Sequence, residues 1–252
     1  MPRTLSFGPV KVRTLPIRGA SAVAAIPGGL LVAEDDEGIF RVAGGRAALW
    51  AGRDDHPALG DLEGLATDDT HRIVWAVAEE DGAVVALKLR GRSRRPTLVG
   101  HLQRPGTRKN KGFEGLAFMP ARLSPSRRAS LVVVHEHKPR RVQLYALPAL
   151  TLTHDLKLPG RLKDLLDDLA DVTVDPVTGA LLLLSDQSRR IAVAGIVDHQ
   201  LALLGSYDLP LSRKEKPEGL DFGSPSRLLV VMDDSKKLLE IAVRRTTTDR
   251  DP

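Results

Sequence analysis

One short motif, a carboxylate with small or apolar neighbours leading into an alternating run, recurs through this chain at nearly constant spacing. It reads Asp61-Leu62-Glu63-Gly64-Leu65-Ala66, then Lys111-Gly112-Phe113-Glu114-Gly115-Leu116-Ala117-Phe118. Asp168-Leu169-Ala170-Asp171-Val172-Thr173-Val174 and Lys216-Pro217-Glu218-Gly219-Leu220-Asp221-Phe222 follow. Glu63 lies 51 residues before Glu114, Glu114 lies 57 before Asp171, and Asp171 lies 47 before Glu218. Self-similarity at such a period is the signature of a repeat architecture. After each motif an apolar run ends in acid: Ile73 to Ala78 before Glu79, Leu131 to Val134 before His135-Glu136, Leu181 to Leu184 before Ser185-Asp186, and Leu228 to Met232 before Asp233. Further apolar runs begin at Val84, Val142, Ile191 and Leu238. An earlier, degenerate copy has Ser21-Ala22-Val23-Ala24 where the acid should stand, yet Leu30-Leu31-Val32-Ala33 still ends in Glu34-Asp35. The repeat count is five.

Each repeat reads as four short strands, with turns at Gly28-Gly29, Asp81-Gly82 and Asp175-Pro176-Val177-Thr178-Gly179. Four-stranded units at even spacing predict an all-β chain, a five-bladed β-propeller of antiparallel blades. The predicted blades span roughly 18–52, 61–103, 112–158, 169–209 and 216–243, in a single domain over 1–252. The last repeat lacks its fourth strand. The loosely alternating segment 4–17 is the expected replacement, and such closure hides edges that an open sheet would expose. Residues 160–168 carry a helix-like period and are expected to form one or two turns.

Composition narrows the classes. With 42% hydrophobic residues in 252, the chain can bury a substantial core. No apolar run approaches the roughly 18 residues that span a bilayer. The absence of cysteine excludes disulfides, thiolate metal sites and cysteine nucleophiles. Met1 to Phe7 contains no apolar leader, so the expected location is cytoplasmic, or periplasmic or secreted if a leader has been removed. The net charge of +5 mildly favours anionic partners. Basic residues cluster within 90–95, 104–111, 127–128 and 138–141, but only 4% of residues are aromatic. Stacking platforms for single-stranded nucleic acid are therefore scarce, and a solvated surface is the favoured reading. A monomer is expected.

In an antiparallel blade the start of the first strand lies beside the end of the second. The leading acids and the series Glu34, Glu79, Glu136, Asp186 and Asp233 should therefore emerge on one face. The first strand is innermost, so Glu63, Glu114, Asp171 and Glu218 should ring the mouth of the central channel. Two carboxylates about 4 Å apart repel by roughly 4 kcal/mol at an effective dielectric near 20. Converging acids cannot all stay ionised unless a cation sits among them. Oxygen ligands without sulfur suit Ca²⁺, with Mg²⁺ or Mn²⁺ as alternatives. The competing reading has each acid cap the amides of its own turn. The loops entering the first strands carry Lys109, Lys111, Lys214 and Lys216, candidates for holding an anionic group beside the cation; equally, these cations could pair with the acids and leave no need for a metal.

The motifs Phe113-Glu114-Gly115-Leu116-Ala117-Phe118, Asp171-Val172-Thr173-Val174-Asp175 with Leu184-Ser185-Asp186-Gln187-Ser188, and Pro217-Glu218-Gly219-Leu220 resemble the SdiA-regulated family. Asn110-Lys111-Gly112-Phe113-Glu114-Gly115-Leu116 is similar to the family labelled esterase-like activity of phytase. The resemblance covers roughly 18–243. It implies a β-propeller, calcium association at Glu63, Glu114, Asp171 and Glu218, and weakly defined, esterase-like biochemistry. Ser21-Ala22-Val23, where no acid stands, departs from that pattern.

The nucleophile elbow, the His-Glu-x-x-His zinc motif, the phosphate loop and the EF-hand loop are all missing from the sequence. His135-Glu136-His137 offers two imidazoles on one strand face, but strand-end histidines are more often polar rim. Two functions compete at the acidic mouth. One is a calcium-binding propeller that takes up an anionic small molecule or partner. The other is a metal-dependent hydrolase of phosphate or carboxylate esters, with Glu114 or Glu136 as general base. A third reading, anion or nucleic-acid binding on the opposite face through the basic loops at 90–95 and 127–128, would require a steep salt dependence.

Overall fold

Apolar runs of four to six residues are too short for buried helices and form strands that are covered on both faces. In the computed structural model, which describes residues 3–90, 95–103, 112–136 and 139–247, these runs build five four-stranded antiparallel sheets. The N-terminal strand is β1 (Arg3–Thr14). Blade 1 holds β2 (Ala20–Ile26), β3 (Gly29–Glu34), β4 (Gly38–Ala43) and β5 (Arg46–Gly52). Blade 2 holds β6 (Leu62–Thr67), β7 (Ile73–Ala78), β8 (Ala83–Lys88) and β9 (Thr97–His101). Blade 3 holds β10 (Phe113–Met119), β11 (Ser130–His135), β12 (Arg141–Ala146) and β13 (Thr151–Lys157). Blade 4 holds β14 (Asp171–Val174), β15 (Leu181–Ser185), β16 (Arg190–Val197) and β17 (Gln200–Asp208). Blade 5 holds β18 (Pro217–Ser224), β19 (Arg227–Met232) and β20 (Lys237–Thr247). The expected helix is the short α1 (Gly160–Leu165), and a 3₁₀ turn (Pro57–Gly60) joins blades 1 and 2. Among the described residues, no helix is long and apolar enough to cross a membrane.

The five-bladed reading is borne out, including its closure. β1 pairs antiparallel with β20, from Arg3 opposite Thr247 to Thr14 opposite Lys237, and supplies the strand that the last repeat lacks. Blade 5 is thus built from both ends of the chain. The packing follows the ring, because each blade interface owns its own apolar cluster. Leu65, Val74 and Val85 meet Ala22, Leu31 and Trp50 between blades 1 and 2. Val172, Val174 and Leu183 meet Val132, Val134 and Leu144 in the same way between blades 3 and 4.

The turn at Asp175 follows its sequence chemistry. Gly179 takes φ 77° and donates to the Asp175 carbonyl at 2.9 Å. The buried Asp175 carboxylate accepts from the amides of Val177 and Thr178, and the Arg245 guanidinium pairs with it. Burial pushes this carboxyl up, but Arg245 and Thr178 outweigh it and hold the group below the usual range. Arg245 also lies 5.8 Å from the centre of the Phe222 ring, so this pair anchors β20 to its neighbours.

The glycine of the recurrent Glu-Gly-Leu motif has a packing cause. First strands of neighbouring blades approach so closely that a methyl on Gly64 would stand 2.6 Å from Leu116 Cβ and 2.8 Å from the Leu116 amide nitrogen. One on Gly219 would meet Ala22 Cα at 2.9 Å. Gly64→Ala is expected to cost about 1–3 kcal/mol by overpacking. Urea denaturation measures it; a loss under about 0.5 kcal/mol would mean that the first strands are not held this tightly.

Candidate functional site

A β-bulge sets the mouth. In β6, Leu62 pairs with Ala78 and Gly64 with Val77, which leaves Glu63 as the extra, unpaired residue. The same slip leaves Glu114 between Phe113 and Gly115, and Glu218 between Pro217 and Gly219. A bulge frees a residue from the ladder and re-aims its side chain. All three carboxylates are half-buried and within electrostatic reach of one another: Glu63 feels Glu114 and Glu218, and Glu114 feels Glu218. Burial and then neighbouring acids push Glu63 up to about 10, Glu114 to about 9 and Glu218 to about 8.

The second row of acids sits just past the second strand of each blade. Glu79 acts on Glu63 and Glu114, Glu136 on Glu114, and Asp186 and Asp233 on Glu218. Burial, followed by Asp168, pushes Asp186 up to about 6. In blade 1 the register shifts the assignment by one residue. Ala20 pairs with Glu34 and Ala22 with Ala33, so Asp35 takes the place held elsewhere by Glu79 or Asp233. Glu34 instead accepts from Asp36 and Glu37 amides at 3.2 and 2.8 Å, capping its own turn, while Asp35 reaches Ser21 and acts on Glu63. The alternation of a single strand does not reveal which of two adjacent acids faces the axis.

Asp171 departs from the phase read in the sequence. It pairs with Leu184, as Gly64 pairs with Val77, so it occupies the glycine column; Ala170 stands where the other blades carry Glu. The carboxylate is buried and reaches the first strands of both neighbouring blades. It accepts from the amides of Leu116 on β10 at 3.3 Å, Val172 at 2.7 Å and Leu220 on β18 at 2.6 Å. Burial pushes it well above the usual range against the pull of these three amides. One level further along β18, Asp221 accepts from the Ala25 amide at 2.7 Å and the Thr173 hydroxyl at 3.2 Å. These two side chains tie blades 3, 4, 5 and 1 together around the axis.

Asp61 and Asp168, just before the first strands of blades 2 and 4, act as caps. Asp61 accepts from the Glu80 amide at 2.9 Å, and the buried Asp168 accepts from the Gln187 amide at 3.1 Å and from the Ser185 hydroxyl. The self-capping reading thus holds for Glu34, whereas Asp61 and Asp168 cap the turn after the second strand of their blade. His135 is core: it is buried, bonds Gln143 at 2.8 Å and packs 4.5 Å from the Phe113 ring. Of the basic candidates, Lys216 lies 3.8 Å from Asp233 and Lys214 is exposed. Lys109, Lys111, Arg92, Arg94 and His137 lie outside the described residues.

Among the described residues, the mouth therefore holds hard oxygen donors, with the cations of Lys216 and Arg189 acting on Asp186 at its edge. That donor chemistry suits a hard cation. As placed, however, no three His, Asp or Glu side chains among the described residues form a group able to hold a metal ion.

Comparison with known proteins bears on the fold. No curated protein matches the chain. Glutaminyl cyclase from Myxococcus xanthus superposes with TM-score 0.64 at 10% identity, over 97% of this chain and 98% of that one. The PQQ-bound form of aldose sugar dehydrogenase from Streptomyces coelicolor superposes with TM-score 0.60 at 13% identity, over 96% and 99%. At such identities the likeness is one of fold. The resemblance read from the motifs is borne out through blades 3 and 4 and into blade 5: residues 101–221 match the SdiA-regulated family.

Proposed function

We propose that this chain is a binding propeller whose acidic mouth takes up a divalent cation, calcium in the first instance. The observation that carries this reading is the set of three bulge-borne carboxylates, Glu63, Glu114 and Glu218, within electrostatic reach of one another at one mouth and with raised proton affinity. These three would hold the cation, with Asp35, Glu79, Glu136, Asp186 and Asp233 adding negative charge around them. Bound there, it would supply the positive charge that the acids otherwise obtain from protons. Asp171 contributes less than expected, because backbone amides already engage both of its oxygens. The open spacing fits the weak end of calcium affinities, about 0.1–1 mM. For the anionic ligand expected beside it, Lys216, which acts on Glu218 and Asp186 and lies 3.8 Å from Asp233, is the described candidate.

Calorimetric titration of the chelated protein at pH 8 tests this. Saturable calcium binding, weakened about tenfold or more in Glu114→Gln, is the expected result. Binding that survives Glu63→Gln, Glu114→Gln and Glu218→Gln together would defeat the assignment. A second reading, ester hydrolysis at the same mouth, draws on the position of Glu114: a carboxyl held protonated near neutral pH beside Glu136 and Glu79 is equipped to act as a proton donor. Turnover on a panel of phosphate and carboxylate esters, lost in Glu114→Gln, would support it.

A further inference from the structure

The opposite end of the axis carries a cavity of about 410 Å³, lined by the ends of the first strands of all five blades. We propose that this cavity is a second ligand site, for a small organic ammonium with an apolar body, whose charged head meets Asp221. The volume lies within the range of small-molecule pockets. Its walls are largely apolar: Ile26, Leu65, Leu116, Phe118, Val174 and Phe222. The Phe222 ring is backed by Arg245, itself fixed by its pair with Asp175. Apolar walls with a few convergent polar groups are what a ligand site requires.

The polar groups are arranged for a donor. Asp221 faces the cavity, and its described partners are the Ala25 and Phe222 amides and the Thr173 hydroxyl. Among the described residues, no Lys, Arg or His pairs with it, so a half-buried carboxylate stands without a counter-charge and with acceptor capacity left. Burial pushes this carboxyl up to about 6, and an ammonium in contact would pull it back down. The remaining charged side chains of the lining are Asp68, Asp69 and Arg122, so acids outnumber bases. That balance selects a cation over an anion.

His71 is built into the same wall. It adopts φ 50°, with its amide donating to the Asp68 carbonyl at 2.9 Å. Asp68 Oδ1 in turn accepts from the Arg72 and Ile73 amides at 2.6 and 2.9 Å, which locks the turn. The Thr67 hydroxyl lies 3.4 Å from the Ala25 carbonyl and 3.3 Å from His71 Nδ1, which ties the ring to the wall. A neutral imidazole keeps one ring nitrogen as an acceptor. The cavity therefore offers carboxylate and imidazole acceptors among aromatic and aliphatic walls. Its lining includes none of Glu63, Glu114 and Glu218.

Phenethylamine, 2-phenylethanol and 3-phenylpropionate, which share one apolar body, make the test by calorimetric titration at pH 7.5. Phenethylamine is expected to bind about tenfold or more tighter than the alcohol, with the carboxylate weakest. Asp221→Asn should erase the preference for the amine. Should that variant fail to fold, Arg122→Glu on the exposed rim decides instead, with a several-fold gain in phenethylamine affinity expected. The Glu63→Gln/Glu114→Gln/Glu218→Gln protein should bind the amine as the parent does. Equal affinity for amine and alcohol, no effect of Arg122→Glu, or loss of amine binding in that triple variant would each overturn the proposal.

Discussion

The triple variant Glu63→Gln/Glu114→Gln/Glu218→Gln, stripped of divalent cations, is expected to melt about 5–10 °C above the equally stripped parent protein at pH 8. The sign follows from linkage. The three carboxyls have folded-state values of about 10, 9 and 8 against an ordinary 4.5, so the folded chain keeps protons that the unfolded chain has released. Stability from these groups is fullest below their unfolded value and is lost progressively as pH rises through the folded values. The groups act on one another, so they titrate in shared steps, and their combined effect at pH 8 is about 2–4 kcal/mol. Gln keeps the shape and removes the proton dependence. The stripped parent should therefore lose melting temperature steadily between pH 5 and 9, while the variant declines less steeply, its remaining slope coming from raised carboxyls it keeps, such as Asp171, Asp186 and Asp221. Calcium should flatten the parent's slope and leave the variant unmoved. A parent whose melting temperature is level from pH 5 to 9 without cations would show that these carboxyls are not crowded.

Asp171→Ala is expected to cost about 3–6 kcal/mol, because it removes the shared acceptor of three backbone amides on three blades. Each buried donor left without a partner costs about 1–3 kcal/mol. Asp171→Asn keeps one acceptor oxygen and should cost less, about 1–3 kcal/mol. Denaturant unfolding at pH 6 measures both, and calcium titration of the Asn variant supplies the second readout. A tie between blades predicts lost stability with calcium affinity unchanged. The opposite pattern, stability kept and calcium binding lost, would make Asp171 a ligand after all.

The two experiments separate residues that look alike in the sequence. Glu114 and Asp171 both open an alternating run after a small gap, and both carry a carboxylate toward the axis. Their difference is a matter of register. The bulge leaves Glu114 outside the ladder with its oxygens turned to the mouth, whereas Asp171 sits one step inside, in the column of Gly64, Gly115 and Gly219. Glu34 and Asp35 divide in the same way, one capping a turn and the other facing Glu63.

What the amino-acid order alone determines is the architecture. The spacing of the four acidic motifs and the degenerate first copy counts the blades, the apolar runs mark the second strands, and the missing fourth strand of the last repeat calls for the N-terminal segment to close the ring. These are local, periodic signals, and periodic burial leaves little freedom in how they are satisfied. Tertiary structure alone decides which acids meet. A one-residue bulge, invisible in a hydrophobic pattern, chooses between Glu34 and Asp35 and sets Asp171 apart from Glu63, Glu114 and Glu218. The cavity above Asp221 is equally hidden from the sequence, because it is made where five separate strand ends converge and no single stretch of chain contains it.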